Sequence, residues 1–188
     1  TRDHPRARTM TPELVDEIDL ERAFEFYKDR FADASDFTFF FVGRLDPDTL
    51  RPLVERYLAT LPSLKRAEKW RDVGIDPPGG IVEKTVRKGL EPKARVAIAF
   101  AGPFEYSQAN RASLAALSIV LETRLRERLR EEKGGTYGAS VSAKQQKYPD
   151  EEYRVIVDFG CSPDRTDELI EEVFRQIESL RKEGPTDR

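Results

Sequence analysis

The chain has 188 residues and a formal net charge of -3, with 38% hydrophobic and 36% charged residues. Its length suits one domain or two compact subdomains, and no apolar run approaches the roughly 20 residues that span a bilayer. No basic patch stands out, which makes nucleic acid a poor candidate partner. A single histidine and a single cysteine exclude an ordinary zinc centre and an internal disulfide within this sequence.

Residues 19–62 are predicted to form an α-β-α opening. Asp19 is a capping residue that begins an amphipathic helix. Residues 36–42 form a largely apolar run, which is typical of a strand covered on both faces. Asp46 and Pro47 combine a capping carboxylate with a proline in the first turn, and therefore predict the start of a second helix.

Polar segments flank this opening. Residues 1–18 contain two prolines and are predicted to be an irregular lead-in. Residues 63–80 are polar and end in Pro-Pro-Gly-Gly, which is typical of a connector. The remaining residues, 81–188, form the predicted body.

The body is predicted to start with a β-hairpin. Residues 81–87 and residues 94–101 both alternate in the manner of strands, and the short polar stretch between them contains a glycine and a proline. In the second strand, one face carries larger apolar side chains and the other carries alanines. We expect a helix to approach closely on the alanine face, which consists of Ala97, Ala99 and Ala101.

Ser107 begins a long helix whose predicted buried stripe consists of Leu114, Leu117, Leu121, Leu125 and Leu129. Strands 137–145 and 153–161 follow, and Ser162 with Pro163 starts the last helix. The body therefore has the order β-β-α-β-β-α, with strands in hairpins separated by helices. This order predicts an α+β fold, a two-layer sandwich in which helices cover one face of a mostly antiparallel sheet.

Two side chains, one at the end of the long helix and one at the start of the next strand, indicate a role in binding or catalysis. Arg130 lies in the last turn before Gly134 and Gly135, and Tyr137 lies at the start of the next strand. A helix end and a strand start can converge on one point in space. A guanidinium and a phenol together bind and polarise a carbonyl oxygen, as a peptidase requires.

Simpler interpretations exist for these and for other polar residues. Arg130 is also a common type of helix-end cation that complements the macrodipole, and Tyr137 is a common type of half-buried strand residue. The acidic runs 131–132 and 150–152 fit a solvated helix end and a turn better than general acid–base catalysis. Cys161 fits a small core residue rather than a nucleophile.

Several segments together resemble the second half of the pitrilysin/insulinase family of zinc peptidases, in particular its bacterial PqqL-like members. The likeness covers nearly the whole chain from about Asp19 onward. Each segment is weak evidence alone, and their order and spacing are specific. The matching segments are Phe-Phe-Val-Gly at 40–43, Leu-Ala-Thr-Leu-Pro at 58–62, residues 82–89, Gly-Pro-Phe-Glu-Tyr at 102–106 and residues 125–138.

The resemblance implies a fold like those of LuxS and the mitochondrial processing peptidase, with residues 19–188 as a single domain of a longer protein. In that family the first half binds zinc through an H-x-x-E-H motif and a distal glutamate. The second half usually lacks metal ligands and supplies an arginine and a tyrosine, seven positions apart, that reach the scissile carbonyl. The spacing selects Arg130 and Tyr137 over the nearby Arg126 and Arg128.

The resemblance therefore implies that this chain carries no cofactor and that zinc lies on the sister half. The expected partners are the N-terminal catalytic half of the same polypeptide and an extended peptide substrate, in a periplasmic setting. H-x-x-E-H is absent here, and the only histidine, His4, is expected to be a linker residue. Two alternatives stay open, which are a purely structural or partner-binding half and a free-standing ligand-binding module.

Overall fold

The computed structural model describes residues 4–132 and 136–185. The chain divides into two compact units, an N-terminal unit that ends at Trp70 and a C-terminal unit that begins at Arg71. None of the described helices combines the length and the apolar content that a membrane span requires. The predicted extent of the domain, residues 19–188, stays a prediction.

From residue 4 to residue 70, the N-terminal unit contains three helices, α1 (Pro12–Asp16), α2 (Leu20–Arg30) and α3 (Pro47–Tyr57). The start of α2 is as predicted, since the Asp19 carboxylate accepts the Arg22 N–H at 3.0 Å. The start of α3 is also as predicted, at the Asp46 cap. The lead-in was expected to be irregular throughout, but Thr11 caps α1 and Pro12 occupies its first turn, which together suffice for a short helix.

Residues 36–42 do not form the predicted strand. Phe40 is 85% exposed and Val42 is 97% exposed, and within the described part of the chain residues 38–42 make no backbone hydrogen bond. The pattern was that of a strand, but a strand exists only when a second strand accepts its ladder of hydrogen bonds. The described residues of this unit include no other strand, so the α-β-α opening is here an α-coil-α arrangement.

Asp33 joins the end of α2 to the segment after α3. Its carboxylate accepts the backbone N–H groups of Leu64 at 2.8 Å, Arg66 at 2.7 Å and Ser35 at 3.0 Å, and the residue is 3% exposed. Burial alone would raise the pKa of this carboxyl. The N–H groups of Arg66, Ser35 and Leu64 stabilise the charged form more strongly, and the pKa lies well below its usual value.

Because the folded-state pKa of Asp33 is depressed, its contribution to stability is complete above the unfolded pKa of about 4 and is lost as the pH falls below it. Asp33→Asn places an amide N–H₂ against an N–H donor, so we expect the backbone amides of Leu64 and Arg66 to lose protection from hydrogen exchange at neutral pH. The exposed Asp36→Asn is the control, and it should leave both amides unchanged. Equal protection of the Leu64 and Arg66 amides in the two variants would show that their hydrogen bonds to the Asp33 carboxylate are unimportant.

In its described residues, the C-terminal unit has one antiparallel sheet and two long helices. The strands are in the order β1-β3-β2, and both strand pairs are antiparallel. The α+β class with antiparallel pairing is therefore confirmed. The elements are β1 (Ala94–Pro103), α4 (Gln108–Arg126) continuing into a π-helix (Glu127–Glu132), β2 (Thr136–Gln146), β3 (Glu152–Cys161), a 3₁₀ turn (Pro163–Arg165) and α5 (Thr166–Glu183).

The predicted first strand of the body, residues 81–87, is not formed. All seven residues are exposed and none is paired in the described structure, so the observed order is β-α-β-β-α rather than β-β-α-β-β-α. Strand β1 consequently lies at an edge of the sheet. Alternating side chains are enough to predict a strand from the sequence. In the folded chain a strand forms only where pairing with another strand offsets the conformational entropy lost when the segment becomes ordered.

One face of the sheet packs against α4 and α5. The buried core consists of Leu121, Leu125, Leu129, Val141, Val155, Val157, Phe159, Cys161, Leu169 and Val173. In β1 the face with Val96, Ile98 and Phe100 packs on this core, and the alanine face is exposed. The expectation that a helix covers the alanines is therefore wrong, because the larger side chains bury more apolar area.

Candidate functional site

The candidate site lies where α4 ends and β2 begins, and packing fixes the helix end. Leu125 and Leu129 are both fully buried, in the same cluster as Phe159 on β3 and Leu169 on α5. A side chain without exposed surface is enclosed by close packing on all sides. The last turns of this helix are therefore held against the sheet rather than free in solvent.

The helix changes its hydrogen-bonding pattern before it ends. After Arg126 it continues as a π-helix over Glu127–Glu132, which includes the backbone of Arg130. Segments of π-helix are rare and occur frequently at functional sites. The sequence carries no visible signal for this change, because the four-residue leucine spacing continues from Leu125 to Leu129 without interruption.

The start of β2 is irregular at the position of Tyr137. Thr136 lies opposite Cys161 and Ala139 lies opposite Phe159. The two residues between them on β2, Tyr137 and Gly138, therefore face the single residue Gly160 on β3, which is a β-bulge. Bulges are common beside active sites, where they redirect a side chain.

A hydrogen bond joins α4 to the outer edge of β2. The Glu122 carboxylate accepts the backbone N–H of Val141 at 3.0 Å, and the π-helix also contacts β2. Glu122 satisfies a donor on an edge strand, and it sets the position of β2 relative to the helix. Sequence reasoning missed Glu122, since an acid beside a leucine stripe looks like any solvent-facing helix residue.

The structure thus brings the backbones of Arg130 and Tyr137 onto two elements that touch. The side chains of Arg130 and Tyr137 are outside the part that the structure describes, as are Gly134 and Gly135 altogether. That the Arg130 guanidinium and the Tyr137 phenol converge on one point stays a prediction.

The other candidate groups have structural contacts. Glu151 accepts the Tyr106 N–H through its carboxylate at 2.9 Å and the Phe104 N–H through its carbonyl at 2.9 Å, so it holds the end of β1 in place. Cys161 is 2% exposed, which confirms its prediction as a core residue. His4 accepts the Arg6 N–H at 3.1 Å within the lead-in.

Among the side chains that the structure describes, the donor set does not fit a zinc ion. Across residues 4–129 and 138–185, no three side chains of His, Cys, Asp or Glu lie close enough together to hold a metal. Cys161 is buried and His4 lies in the lead-in of the other unit. No catalytic step through a metal can be assigned to the described residues.

Residues 17–188 match the family described as Peptidase M16 inactive domain. The chain is 28% identical to "Zinc protease PQQL-like" of Arabidopsis thaliana, over 90% of this chain and 19% of that protein. It is 27% identical to "Probable zinc protease PqqL" of Haemophilus influenzae, over 90% of this chain and 18% of that protein. The chain thus spans about a fifth of the length of these relatives.

The fold is similar to a solved structure, that of the periplasmic protease PqqL from Escherichia coli. The TM-score is 0.82 and the sequence identity is 21%, with 97% of this chain and 20% of that chain covered. At 21% identity the similarity to this structure supports only the fold. Family membership rests on the sequence match over residues 17–188.

Proposed function

Since the chain belongs to the family of peptidase M16 inactive domains, we propose that it is the substrate-side, non-metal-binding domain of a zinc endopeptidase. It completes a peptide-binding chamber within a LuxS-like, two-layer fold, and it is no enzyme in isolation. The observation that carries the proposal is the contact between the π-helix that includes Arg130 and the strand that includes Tyr137. A bulge and a π-helix at one place are costly irregularities, which are typical of functional sites.

The proposed role of Arg130 and Tyr137 is to donate hydrogen bonds to the scissile carbonyl oxygen as negative charge develops on it. Arg130 supplies a permanently charged, planar donor and Tyr137 a neutral hydroxyl donor. Donors fixed in place before the reaction need no reorganisation, and losing one costs about 3–4 kcal/mol of transition-state stabilisation. The buried Leu125 and Leu129 and the Glu122–Val141 bond supply the rigid base that such preorganisation requires.

The remaining machinery is proposed to lie on the N-terminal half of the same polypeptide. That half would hold the zinc ion, which supplies the activated water, and would bind an extended peptide along a sheet edge. Zinc proteases among the relatives and a periplasmic protease among the structural neighbours support this setting. We accordingly propose a periplasmic location.

The test is to measure zinc content and peptide hydrolysis for the 188-residue chain and for the complete polypeptide. We expect neither bound zinc nor hydrolysis with the chain alone, and both with the complete polypeptide. Where the complete polypeptide carries an H-x-x-E-H motif, the matched control is the variant in which the glutamate of that motif is replaced by Gln, which should bind zinc without hydrolysing peptide. Tightly bound stoichiometric zinc on the 188-residue chain would contradict the proposal.

A second candidate function is that of a purely structural or partner-binding domain. It is favoured by the family description itself, which calls the domain inactive. The discriminating observation is the upstream sequence of the complete polypeptide. An intact H-x-x-E-H motif supports the peptidase, and its loss supports the scaffold.

A further inference from the structure

The sheet of the C-terminal unit has one face that α4 and α5 do not cover, which we call the outer face. Side chains of a strand alternate between two faces, and the buried Val141 and Val157 mark the core side. The short side chains of the edge strands leave room for an extended peptide backbone to approach this face. The outer face consists of Ala97, Ala99 and Ala101 on β1, Ser140, Ser142 and Lys144 on β2, and Arg154, Ile156 and Asp158 on β3.

The outer face reaches the candidate site at one end. The β2 positions of Tyr137 and Gly138 lie opposite Gly160. Gly160 is two residues from Asp158 on β3, and it therefore occupies an outer-face position. A peptide bound at the candidate site can thus continue along the outer face without crossing a helix.

Two cations face each other further along the outer face. Lys144 on β2 lies directly opposite Arg154 on β3, and both residues are exposed. Among the described residues, no carboxylate pairs with either cation, whereas Asp158 is already paired, accepting from Arg95 Nε at 2.9 and 3.0 Å. Like charges directly opposite each other destabilise a strand pair, and an anionic group bound between these two would remove that repulsion.

Acidic residues lie beyond the two cations, at the far end of the sheet. Glu152 takes the next outer position on β3, opposite Gln146. Together with Asp150 and Glu151 it lines a cavity of about 370 Å³ that also has Pro77 and Pro78 in its wall. An anion on the outer face is therefore attracted to Lys144 and Arg154 and repelled beyond them, which fixes its position along the strands.

We propose that the outer face is a floor for the peptide substrate and that Lys144 and Arg154 select a substrate with an acidic side chain. This inference rests on the function proposed above and adds the substrate class to it. Lys144 lies seven residues after Tyr137, one of which is taken up by the bulge. At about 3.3 Å per residue the separation is about 20 Å, so an extended peptide would place its acidic side chain about six residues from the scissile bond.

The arrangement suits a peptide carboxylate better than a nucleic acid. Two cations opposite each other can share the two oxygens of one carboxylate. A nucleic acid backbone needs a row of cations at the spacing of its phosphates, and the outer face instead has Asp158 before the two cations and Glu152 after them.

The test uses the complete polypeptide and a defined peptide with one scissile bond. Aspartate or alanine is placed at each position from four to eight residues away, on either side of that bond. We expect aspartate about six residues away, on one side, to raise kcat/KM by about 5- to 10-fold over alanine, mainly through KM. Equal values for aspartate and alanine at every position would overturn the inference.

Hydrolysis of none of these peptides would count against the proposed function instead. The affinity of the same peptides, measured by fluorescence anisotropy, then decides the present inference. Tighter binding of one aspartate peptide by about 5- to 10-fold supports it, and equal binding of all peptides overturns it.

Lys144→Glu is the informative variant, because it replaces a repulsive cross-strand pair by an attractive one. We expect it to abolish the preference for aspartate, while the slowest-exchanging amides of β3 exchange no faster than in the parent. The matched control is Lys182→Glu, which makes the same change of charge at an exposed position on α5, on the other side of the sheet.

The control should keep the preference for aspartate. A preference that survives Lys144→Glu would overturn the inference. Loss of the preference in both variants would assign it to net charge, and faster exchange of the β3 amides in Lys144→Glu would show that Lys144 and Arg154 do not repel each other. Either result would also overturn the inference.

Discussion

Replacing Tyr137 by Phe in the complete polypeptide is expected to lower kcat by about 10²–10³-fold while zinc content and folding stay intact. The substitution removes one hydroxyl and keeps the ring, so the packing of β2 is unchanged. If the phenol donates to the carbonyl oxygen only as charge develops, its loss raises the barrier and leaves substrate affinity nearly as it was. Steady-state kinetics with a defined peptide, together with a zinc assay, measure both quantities.

The control for Tyr137→Phe is Tyr148→Phe, which changes the same type of side chain in the turn between β2 and β3. Tyr148 is 57% exposed, and we expect its replacement to leave turnover within twofold. Arg130→Lys should lower turnover in the same direction as Tyr137→Phe, because lysine keeps the charge and loses the planar donor geometry. If turnover of the Tyr137→Phe variant stayed within twofold of the parent, Tyr137 would not have the proposed role.

Local signals predicted the helices well, because their physical causes are local. Asp19, Asp46 and Ser107 each accept a backbone N–H in the first turn of their helix, and such caps are readable from sequence. The strand prediction succeeded for β1, and for β2 and β3, which a short turn joins. It failed for residues 36–42 and 81–87, because strand formation depends on a partner and not only on the alternation of side chains.

Of the candidate site, the sequence predicts residue types and their spacing, and the roles of Arg130 and Tyr137 stay a prediction. The spacing between Arg130 and Tyr137 identified two residues whose backbones lie on touching elements. The bulge at Tyr137 depends on the register between β2 and β3, and the π-helix lies where the buried Leu125 and Leu129 pack into the core. Neither can be derived from local sequence, because both are set by contacts between residues distant in the chain.

The buried stripe of α4 was predicted one residue too broadly, for a geometric reason. Each step of four residues turns the side chain about 40° further around the axis. Leu117 therefore lies roughly 80° from Leu125, and it is 46% exposed, whereas Leu125 and Leu129 are fully buried. Equal spacing in sequence thus gave unequal burial.

This difference supplies a matched pair of variants on one helix. Leu129→Ala is expected to destabilise the C-terminal unit by about 2–5 kcal/mol, since it removes buried methyl groups and leaves a cavity. Leu117→Ala should cost less than about 1 kcal/mol, because half of that side chain is already in water. The slowest-exchanging amides of β3 report the free energy of unfolding of this unit. Equal losses of unfolding free energy in the two variants would mean that Leu129 does not anchor the helix end. The inference that core packing holds the backbone of Arg130 in place would then be wrong.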